Sequence, residues 1–168
     1  MDLSSPRGSS INNFISKEDY TLHYATFDQA VALVSSFGTG ALMAKLDLKH
    51  AFRLCPMSRS NWDLLGMHWQ GKFMSISAYL LACALHRLAD PFKWILKHNH
   101  TISALMHYLD DYFTVGPPSL PLCASQVDIM VKTGDRLGIP LAPDKLEGPT
   151  SRLVFLGILI DSTLMECF

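Results

Sequence analysis

The sequence predicts an α+β domain in which helices pack on one face of a mainly antiparallel sheet. The first observation is the order of elements, since hydrophobic periodicity indicates helix, strands, helix, hairpin, helix and strand along the chain. The second is the run HYLDDYFTV at 107–115, where strand-forming residues flank an Asp pair as in a tight hairpin. The third is a hydrophobic content of 49% over 168 residues, which suffices for one domain with a real core.

The overall charge is not that of an obvious nucleic-acid binder, because the formal net charge is −1. Binding to a phosphate backbone would therefore need a local basic face. The candidates for such a phosphate track are Lys45, Lys49, Arg53, Arg59 and Lys72. Solvated surface positions are the default for such charges, so both interpretations of these side chains stay open.

The cysteine pattern and the lack of targeting signals predict an intracellular protein. Four cysteines lack CxxC spacing, which fits reduced thiols. Cys83 and His86 form the only nearby Cys/His pair, whereas a zinc site needs about four ligands. No apolar signal core precedes the domain, and no run reaches the ~20 apolar residues of a membrane span. We expect a soluble protein in the cytoplasm or nucleus.

The first part of the chain divides into a tail, a helix and a strand. Residues 1–19 are rich in Ser, Asn and Gly and predict a flexible segment, and residues 20–168 form the folded domain. The run 26–38 predicts an amphipathic helix, with Thr26 as its N-cap and Gly38 ending it.

The predicted strand over 41–52 is mostly apolar and places Asp47 within it or at its end. The later elements are a hairpin over 64–69 and 72–76, a helix over 77–99, a helix over 123–138 and a strand over 153–161. Pro91 lies inside the helix over 77–99 and is expected to break or kink it.

The Asp pair at the predicted hairpin tip, Asp110 and Asp111, departs from the usual turn chemistry. Asn-Gly or Asp-Gly suits a two-residue turn, because both central residues need positive φ. Adjacent like charges make sense if a divalent cation neutralises them, since Mg²⁺ prefers carboxylate oxygens. The alternative is a solvated turn, which is the commoner outcome for an isolated Asp-Asp pair.

Asp47 supplies the context for that pair, because a buried carboxylate is costly unless it is paired or bound to metal. If its strand pairs beside the hairpin, Asp47, Asp110 and Asp111 converge at one edge of the sheet. Such a cluster can hold two divalent ions about 3.5–4 Å apart, one activating a 3′-hydroxyl and one stabilising the leaving pyrophosphate. The residues therefore predict nucleotidyl transfer, which needs mainly positioning and charge neutralisation.

Several ordered motifs resemble a known family. LDLKHAF, then YLDD, then VFLG, are similar to the reverse transcriptase palm, with its first-Asp motif, its YxDD box and its primer-grip strand. The longer runs ALMAKLDLKHAFRLCP, WDLLGMHWQG, HYLDDYFTVGPP and LAPDKLEGPT most resemble the DIRS-type, tyrosine-recombinase retrotransposons. The resemblance covers most of the chain and implies RNA-directed DNA synthesis.

Position by position, the resemblance implies roles for individual residues. Asp47, Asp110 and Asp111 would bind metal, together with the backbone of Leu48, and Lys145 would protonate pyrophosphate. The residues implied at the nucleotide are Leu48, His50, Ala51 and Phe52, of which Phe52 would exclude a 2′-hydroxyl. The residues implied at the primer and template are Tyr108, Leu109, Phe155, Leu156 and Gly157.

Several of these positions have an ordinary structural explanation. Phe52 could be plain core, and Phe155 and Leu156 would be core in any sheet. Lys145 lies in a Pro-flanked loop, where a solvated lysine is the commoner outcome.

One interval departs from the family pattern. The family carries an LPFGLRSAPxxFN-like motif that shapes the nucleotide and template pocket. It lies between the turn that matches Trp69-Gln70-Gly71 and the helix that matches Leu88-Ala89-Asp90. Here residues 73–87 read FMSISAYLLACALHR. A DNA sequence that encodes AYLLACALHR can also encode LPFGLRSAP when it is read in a shifted reading frame. We therefore infer a local change of reading frame, after which the original frame resumes at Arg87. Residues 78–90 should still form helix, because Ala and Leu favour it.

The resemblance implies a reverse transcriptase-like palm with truncated fingers and without thumb or ribonuclease H regions. Its implied partners are an RNA template, a DNA primer and deoxynucleoside triphosphates, with two Mg²⁺ or Mn²⁺ ions and no membrane. Two functions stay open. One is the reverse transcriptase domain of a retrotransposon, impaired in this copy by the altered motif, and the other is an inactive remnant with at most weak nucleic-acid binding.

Overall fold

The computed structural model describes residues 23–51, 59–61, 66–69, 72–75, 78–119 and 121–168. The chain divides into two compact units, and the second comprises Tyr24–His50 and Leu88–Phe168. The predicted flexible segment, residues 1–19, lies outside the described residues, as does Phe52.

The described residues form three α-helices, nine strands and two short 3₁₀ helices. The helices are α1 (Phe27–Phe37), α2 (Ala78–His100) and α3 (Leu122–Leu137). The strands are β1 (Leu42–Asp47), β2 (Gly66–Trp69), β3 (Lys72–Ser75), β4 (Leu105–Tyr108), β5 (Asp111–Gly116), β6 (Glu147–Thr150), β7 (Arg152–Phe155), β8 (Ile158–Asp161) and β9 (Glu166–Cys167). The predicted α+β class with antiparallel sheets is confirmed.

Helix α1 begins and ends at the residues that the sequence predicts. Thr26 Oγ1 accepts a hydrogen bond from the Gln29 amide at 3.3 Å, and Gln29 Oε1 accepts one from the Thr26 amide at 3.1 Å. This reciprocal capping box satisfies two otherwise orphaned donors. Gly38 ends the helix with a φ of 79°, a conformation that glycine adopts without strain.

The central sheet of the second unit has the strand order β4-β5-β1-β6 and is antiparallel throughout. Strand β1 lies in its interior, between β5 and β6, and the register pairs Leu42 with Gly116 and Asp47 with Asp111. Successive side chains on a strand point to opposite faces, so each strand contributes to two layers.

One face of this sheet packs against α3 and against the part of α2 that belongs to the second unit, residues 88–100. The Tyr112 ring is fully buried and meets the Phe92 ring of α2 edge-on, with centroids 5.3 Å apart. Thr114 Oγ1, two residues along β5, lies 2.8 Å from Gln126 Oε1 of α3. His107 of β4 contacts α2 through Nε2, 3.0 Å from Asp90 Oδ1.

The other face carries the main hydrophobic cluster and packs against α1 and the hairpin β7–β8. Its buried members are Ala30, Val34, Ala41, Met43, Phe113, Val115, Leu153, Phe155 and Ile160. The Phe113 and Phe155 rings stack with centroids 4.7 Å apart. Helix α1 thus lies on the opposite face of the sheet, so only α2 and α3 share the one face that was predicted for the helices.

The first unit contains the hairpin β2–β3, which confirms the hairpin predicted around Gln70-Gly71. Residues 78–90 are helical, as the Ala- and Leu-rich composition predicts. Helix α2 continues through Pro91, so of the two predicted outcomes the break does not occur and the kink stays a prediction. Pro91 is exposed, and it lacks the amide that would donate to the Arg87 carbonyl one turn earlier in the helix.

The C-terminal prediction needs a correction, because residues 153–161 do not form one strand. They belong to β7 and β8, which pair antiparallel from Arg152↔Asp161 to Phe155↔Ile158. The turn is Leu156-Gly157, with φ values of 51° and 82°. Two positive φ angles suit the tight turn of a hairpin. The turn lies within a mostly apolar run, so hydrophobic periodicity did not indicate it.

Candidate metal centre

The hairpin β4–β5 presents the Asp pair, although not as the two tip residues. Tyr108 and Asp111 are register partners, so the turn consists of Leu109 and Asp110, and Asp111 is the first residue of β5. Of the two turn residues only Leu109 has a positive φ, 54°, so Asp110 does not adopt the conformation that a type I′ turn requires of both. The predicted hairpin is confirmed, and its tip lies one residue earlier than predicted.

Strand β1 brings Asp47 to that hairpin. Asp47 and Asp111 form the last register pair of β1 and β5, and directly opposite residues have Cβ atoms ~4.5–5.5 Å apart. The Leu48 amide donates a hydrogen bond to the Asp110 carbonyl at 3.2 Å, which holds the turn against the end of β1. The three carboxylates therefore meet at one end of the central sheet.

Lys145 joins the carboxylates from a distant part of the chain. It ends the 3₁₀ turn Pro143–Lys145, and the Ala142 amide before that turn donates to the Asp47 carbonyl at 2.8 Å. Lys145 Nζ forms an ion pair and hydrogen bond with Asp47 Oδ2. The lysine side chain is 61% exposed and the aspartate side chain 13%, so the ammonium approaches the cluster from solvent.

The cluster raises the pKa values of two of its carboxyls. Burial, followed by the charges of Asp110 and Asp47, raises the pKa of Asp111 to about 6. Burial also raises the pKa of Asp110, and the neighbouring Asp47 adds to that rise. The hydrogen bond to Asp47 and the carboxylate charges raise the pKa of Lys145. Concentrated negative charge is thus the dominant electrostatic feature of this site.

The donors present fit a hard divalent cation. Asp47 Oδ1 is buried and has no hydrogen-bond partner among the residues that the structure describes. A buried carboxylate oxygen without a partner is costly, and a bound cation would remove that cost. Asp47, Asp110 and Asp111 offer carboxylate oxygens from two strands, which is the ligand chemistry that Mg²⁺ and Mn²⁺ prefer.

The residues implied at the nucleotide are only partly described. Leu48 is 2% exposed and forms an isolated bridge with Leu141. His50 is exposed with a φ of 53°, and Ala51 is buried. The implied 2′-hydroxyl gate, Phe52, lies outside the described residues.

The residues implied at the primer differ in their surroundings. Tyr108 is half-buried beside the Asp pair, and its ring lies 5.2 Å from that of Tyr24. Phe155 is 1% exposed in the main hydrophobic cluster, so its side chain is core, as the ordinary explanation predicts. Leu156 packs partly against that cluster, and only Gly157 of this turn is exposed.

Two residues near the carboxylates make contacts that the sequence did not predict: Tyr24, and Lys45, which the sequence offered only as part of a phosphate track. Tyr24 lies in a segment without a motif, and its contact with Tyr108 spans 84 positions of sequence number, so no local signal reveals it. Lys45 precedes Asp47 by two residues on β1, a spacing that places both on one sheet face. Lys45 Nζ pairs with Glu147 Oε1 at 2.9 Å and donates to the Val154 carbonyl at 3.0 Å, so it links β1 to β6 and to β7 of the neighbouring sheet.

The fold is similar to a fragment of a reverse transcriptase-like palm. The chain is similar to the prototype foamy virus protease-reverse transcriptase CSH mutant, with a TM-score of 0.56 and 20% identity over 82% of this chain and 18% of that chain. For the foamy viral protease-reverse transcriptase dRH in complex with double-stranded DNA, the TM-score is 0.58, with 18% identity over 84% of this chain and 25% of that one.

A third structure, the foamy viral protease-reverse transcriptase in complex with RNA/DNA hybrid, gives a TM-score of 0.52 and 18% identity over 79% of this chain and 18% of that one. The chain therefore spans about a fifth to a quarter of these solved chains. Neither a protein-family model nor a curated protein matches the sequence. Among the described residues, no helix is long and apolar enough to cross a membrane.

Proposed function

We propose that this chain is the palm portion of a retrotransposon reverse transcriptase, in which Asp47, Asp110 and Asp111 bind Mg²⁺ or Mn²⁺ for nucleotidyl transfer. The observation that carries the proposal is the convergence of these three carboxylates at one end of a sheet with a reverse transcriptase-like fold. A cluster that raises its own carboxyl pKa values is stabilised by a bound cation, because the cation relieves the like-charge repulsion.

The chain's residues would position reactants and manage charge. Divalent ions, when bound, would supply Lewis acidity for the attacking hydroxyl and charge neutralisation for the leaving pyrophosphate. The antiparallel pairing of β1 with β5 holds Asp47 opposite Asp111 without a flexible linker. Lys145 carries its proton at Nζ on the solvent side of the carboxylates, where it can serve a leaving pyrophosphate.

The finer assignment rests on the sequence motifs. The runs around Asp47, the YLDD box and LAPDKLEGPT support a DIRS-type retrotransposon as the source. The proposed partners are an RNA template, a DNA primer and deoxynucleoside triphosphates. Tyr108 and Leu109 are proposed to lie at the primer end, and His50, Ala51 and Phe52 at the nucleotide.

The altered interval, residues 73–87, favours a second candidate function. Without the LPFGLRSAP-like motif this copy would lack part of the pocket that aligns template and nucleotide. Alignment supplies much of the rate enhancement in such reactions. The second candidate is therefore an inactive remnant that retains the metal site and binds nucleic acid weakly and in a salt-sensitive manner.

The first test is divalent binding by the full chain, measured by calorimetric titration with Mn²⁺. We expect Asp110→Asn to weaken Mn²⁺ binding at least about tenfold, because it removes one of three carboxylate charges at the site. The matched control is Asp128→Asn, an exposed aspartate on α3, which should leave the affinity unchanged. Equal Mn²⁺ affinities for the wild type and Asp110→Asn would contradict the proposed function.

A further inference from the structure

Lys145 contacts the carboxylate cluster from a solvent-exposed turn, Pro143–Lys145. Its ammonium pairs with Asp47 Oδ2, while the other oxygen of the same carboxylate, Oδ1, is buried and lacks a hydrogen-bond partner among the described residues. The ion pair joins positions 98 residues apart in sequence, so the folded sheet alone brings them together. One Asp47 oxygen thus already has a cationic partner from within the chain.

We propose that Lys145 is a tethered cation that occupies the carboxylate cluster and that a divalent ion binds by displacing it, so that Lys145 sets the affinity and charge selectivity of the site. This inference rests on the proposed function, because it assumes that the same three carboxylates bind a divalent ion. It assigns Lys145 a role in the metal-free protein, apart from any proton transfer to pyrophosphate.

The geometry makes the lysine and the ion competitors. An ammonium that holds Asp47 Oδ2 occupies a coordination position, and its positive charge repels a second cation nearby. Lys145 interacts electrostatically with Asp110 and Asp111 as well as with Asp47, so the competition extends over the whole cluster. A divalent ion brings twice the charge and can also reach the unpartnered Oδ1 of Asp47.

Displacement of the lysine needs no rearrangement of the core. The Lys145 side chain is 61% exposed and extends from a short 3₁₀ turn, so it can rotate into water. A tether also gives the ammonium an effective concentration in the millimolar range or above. Monovalent ions must compete against that concentration with a single charge, whereas Mg²⁺ or Mn²⁺ competes with two. The lysine therefore selects for divalent ions.

The decisive comparison is Mn²⁺ affinity by calorimetric titration of the full chain at constant ionic strength. Lys145→Gln should bind Mn²⁺ about three- to tenfold more tightly than the wild type, the range expected when an ion pair at a partly buried carboxylate is removed. Lys145→Arg retains the charge and should stay close to the wild type. The matched control is Lys132→Gln, which removes an exposed lysine paired with Asp128 on α3 and should change nothing.

The outcomes separate this inference from the proposed function. If Asp110→Asn abolishes Mn²⁺ binding but Lys145→Gln binds no more tightly than the wild type, the tethered-cation role is wrong and the metal site stands. If Asp110→Asn has no effect, the metal site itself is wrong. Thermal unfolding of each variant without divalent ions checks that it is folded.

A measurement on the wild type avoids substitution altogether. In nitrogen-15 spectra of lysine side chains, Lys145 Nζ held by Asp47 should exchange its protons slowly and show a distinct shift. Titration with diamagnetic Mg²⁺ should move that signal to the position of a solvated lysine, while the Lys132 signal stays constant. A Lys145 signal that is unchanged at saturating Mg²⁺ would overturn the displacement mechanism.

Discussion

The Asp111 carboxylate belongs to the proposed metal site and at the same time lowers the stability of the fold at neutral pH. It begins β5 opposite Asp47, and burial together with two neighbouring carboxylates raises its pKa to about 6. In the unfolded chain an Asp titrates near 4. Between these values the folded state keeps a proton that the unfolded state loses, so folding stability falls as the pH rises from about 4 to about 6.

We therefore expect Asp111→Asn to be more stable than the wild type at pH 7.5 in the absence of divalent ions, by about 1 kcal/mol after allowance for solvent screening of this half-exposed group. The difference should shrink as the pH falls through 6 and vanish toward pH 4, where both chains are neutral at this position. Urea denaturation at several pH values in the presence of a chelator measures it.

The control for this prediction is Asp128→Asn, because Asp128 is an exposed carboxylate outside the cluster. Saturating Mg²⁺ should narrow the stability gap between the wild type and Asp111→Asn, since the ion relieves the repulsion only where all three carboxylates are present. An Asp111→Asn variant less stable than the wild type at pH 7.5 would show that this carboxylate supports the fold.

At the scale of elements, the contact of α3 with the sheet depends on a glycine. Gly116 ends β5, and a Cβ atom placed there would lie 2.8 Å from the backbone nitrogen of Cys123 in α3. That atom belongs to a helix backbone and cannot rotate away, so α3 would have to shift. The absence of a side chain at Gly116 thus sets how closely α3 approaches the strand that carries Asp111.

Gly116→Ala should therefore destabilise the protein by about 1–3 kcal/mol, the usual cost of overpacking a buried contact. The midpoint of urea denaturation measures this change, provided that the slope of the transition is the same in both proteins. Ser125→Ala, at an exposed position of α3, serves as the control and should remain within ~0.5 kcal/mol of the wild type. A Gly116→Ala midpoint equal to that of the wild type would mean that α3 adjusts freely.

At the scale of the whole molecule, the proposed site and the altered interval have opposite implications for activity. In the proposed reaction the carboxylates would supply charge neutralisation, but alignment of primer, template and nucleotide would be worth roughly 7–11 kcal/mol of the barrier. Under the proposed function, residues 73–87 lack the LPFGLRSAP-like motif that would shape the pocket for that alignment. We therefore expect this chain to bind divalent ions without catalysing nucleotidyl transfer.

Primer extension on an RNA template with Mg²⁺ or Mn²⁺ should be undetectable for the 168-residue chain. Restoring an LPFGLRSAPFLFN-like segment in a protein extended at both ends should recover extension, and adding Asp110→Asn should abolish it again. Gel analysis of a labelled primer gives the readout. If the unaltered chain extended the primer and the Asp110→Asn substitution stopped that extension, the altered interval would not impair catalysis.

The sequence by itself determined the local elements and the order of the motifs. Thr26 and Gly38 predict the ends of α1 because capping depends on residues within a few positions of each other. The hairpin around YLDD and the helical altered segment follow equally from local periodicity and propensity. The predicted convergence of Asp47 with the Asp pair required one further assumption, that β1 lies beside β5, which the sheet register bears out.

Only the tertiary structure decided which residues meet across long separations. Whether Lys145 is solvated or engaged could not be read from its Pro-flanked loop, because its partner Asp47 lies 98 residues away. Phe155 fits either a primer contact or the core by sequence, and its stacking on Phe113 places its side chain in the core. The physical reason is that periodicity reports which face of an element is apolar, whereas the register between strands determines which faces and charges come into contact.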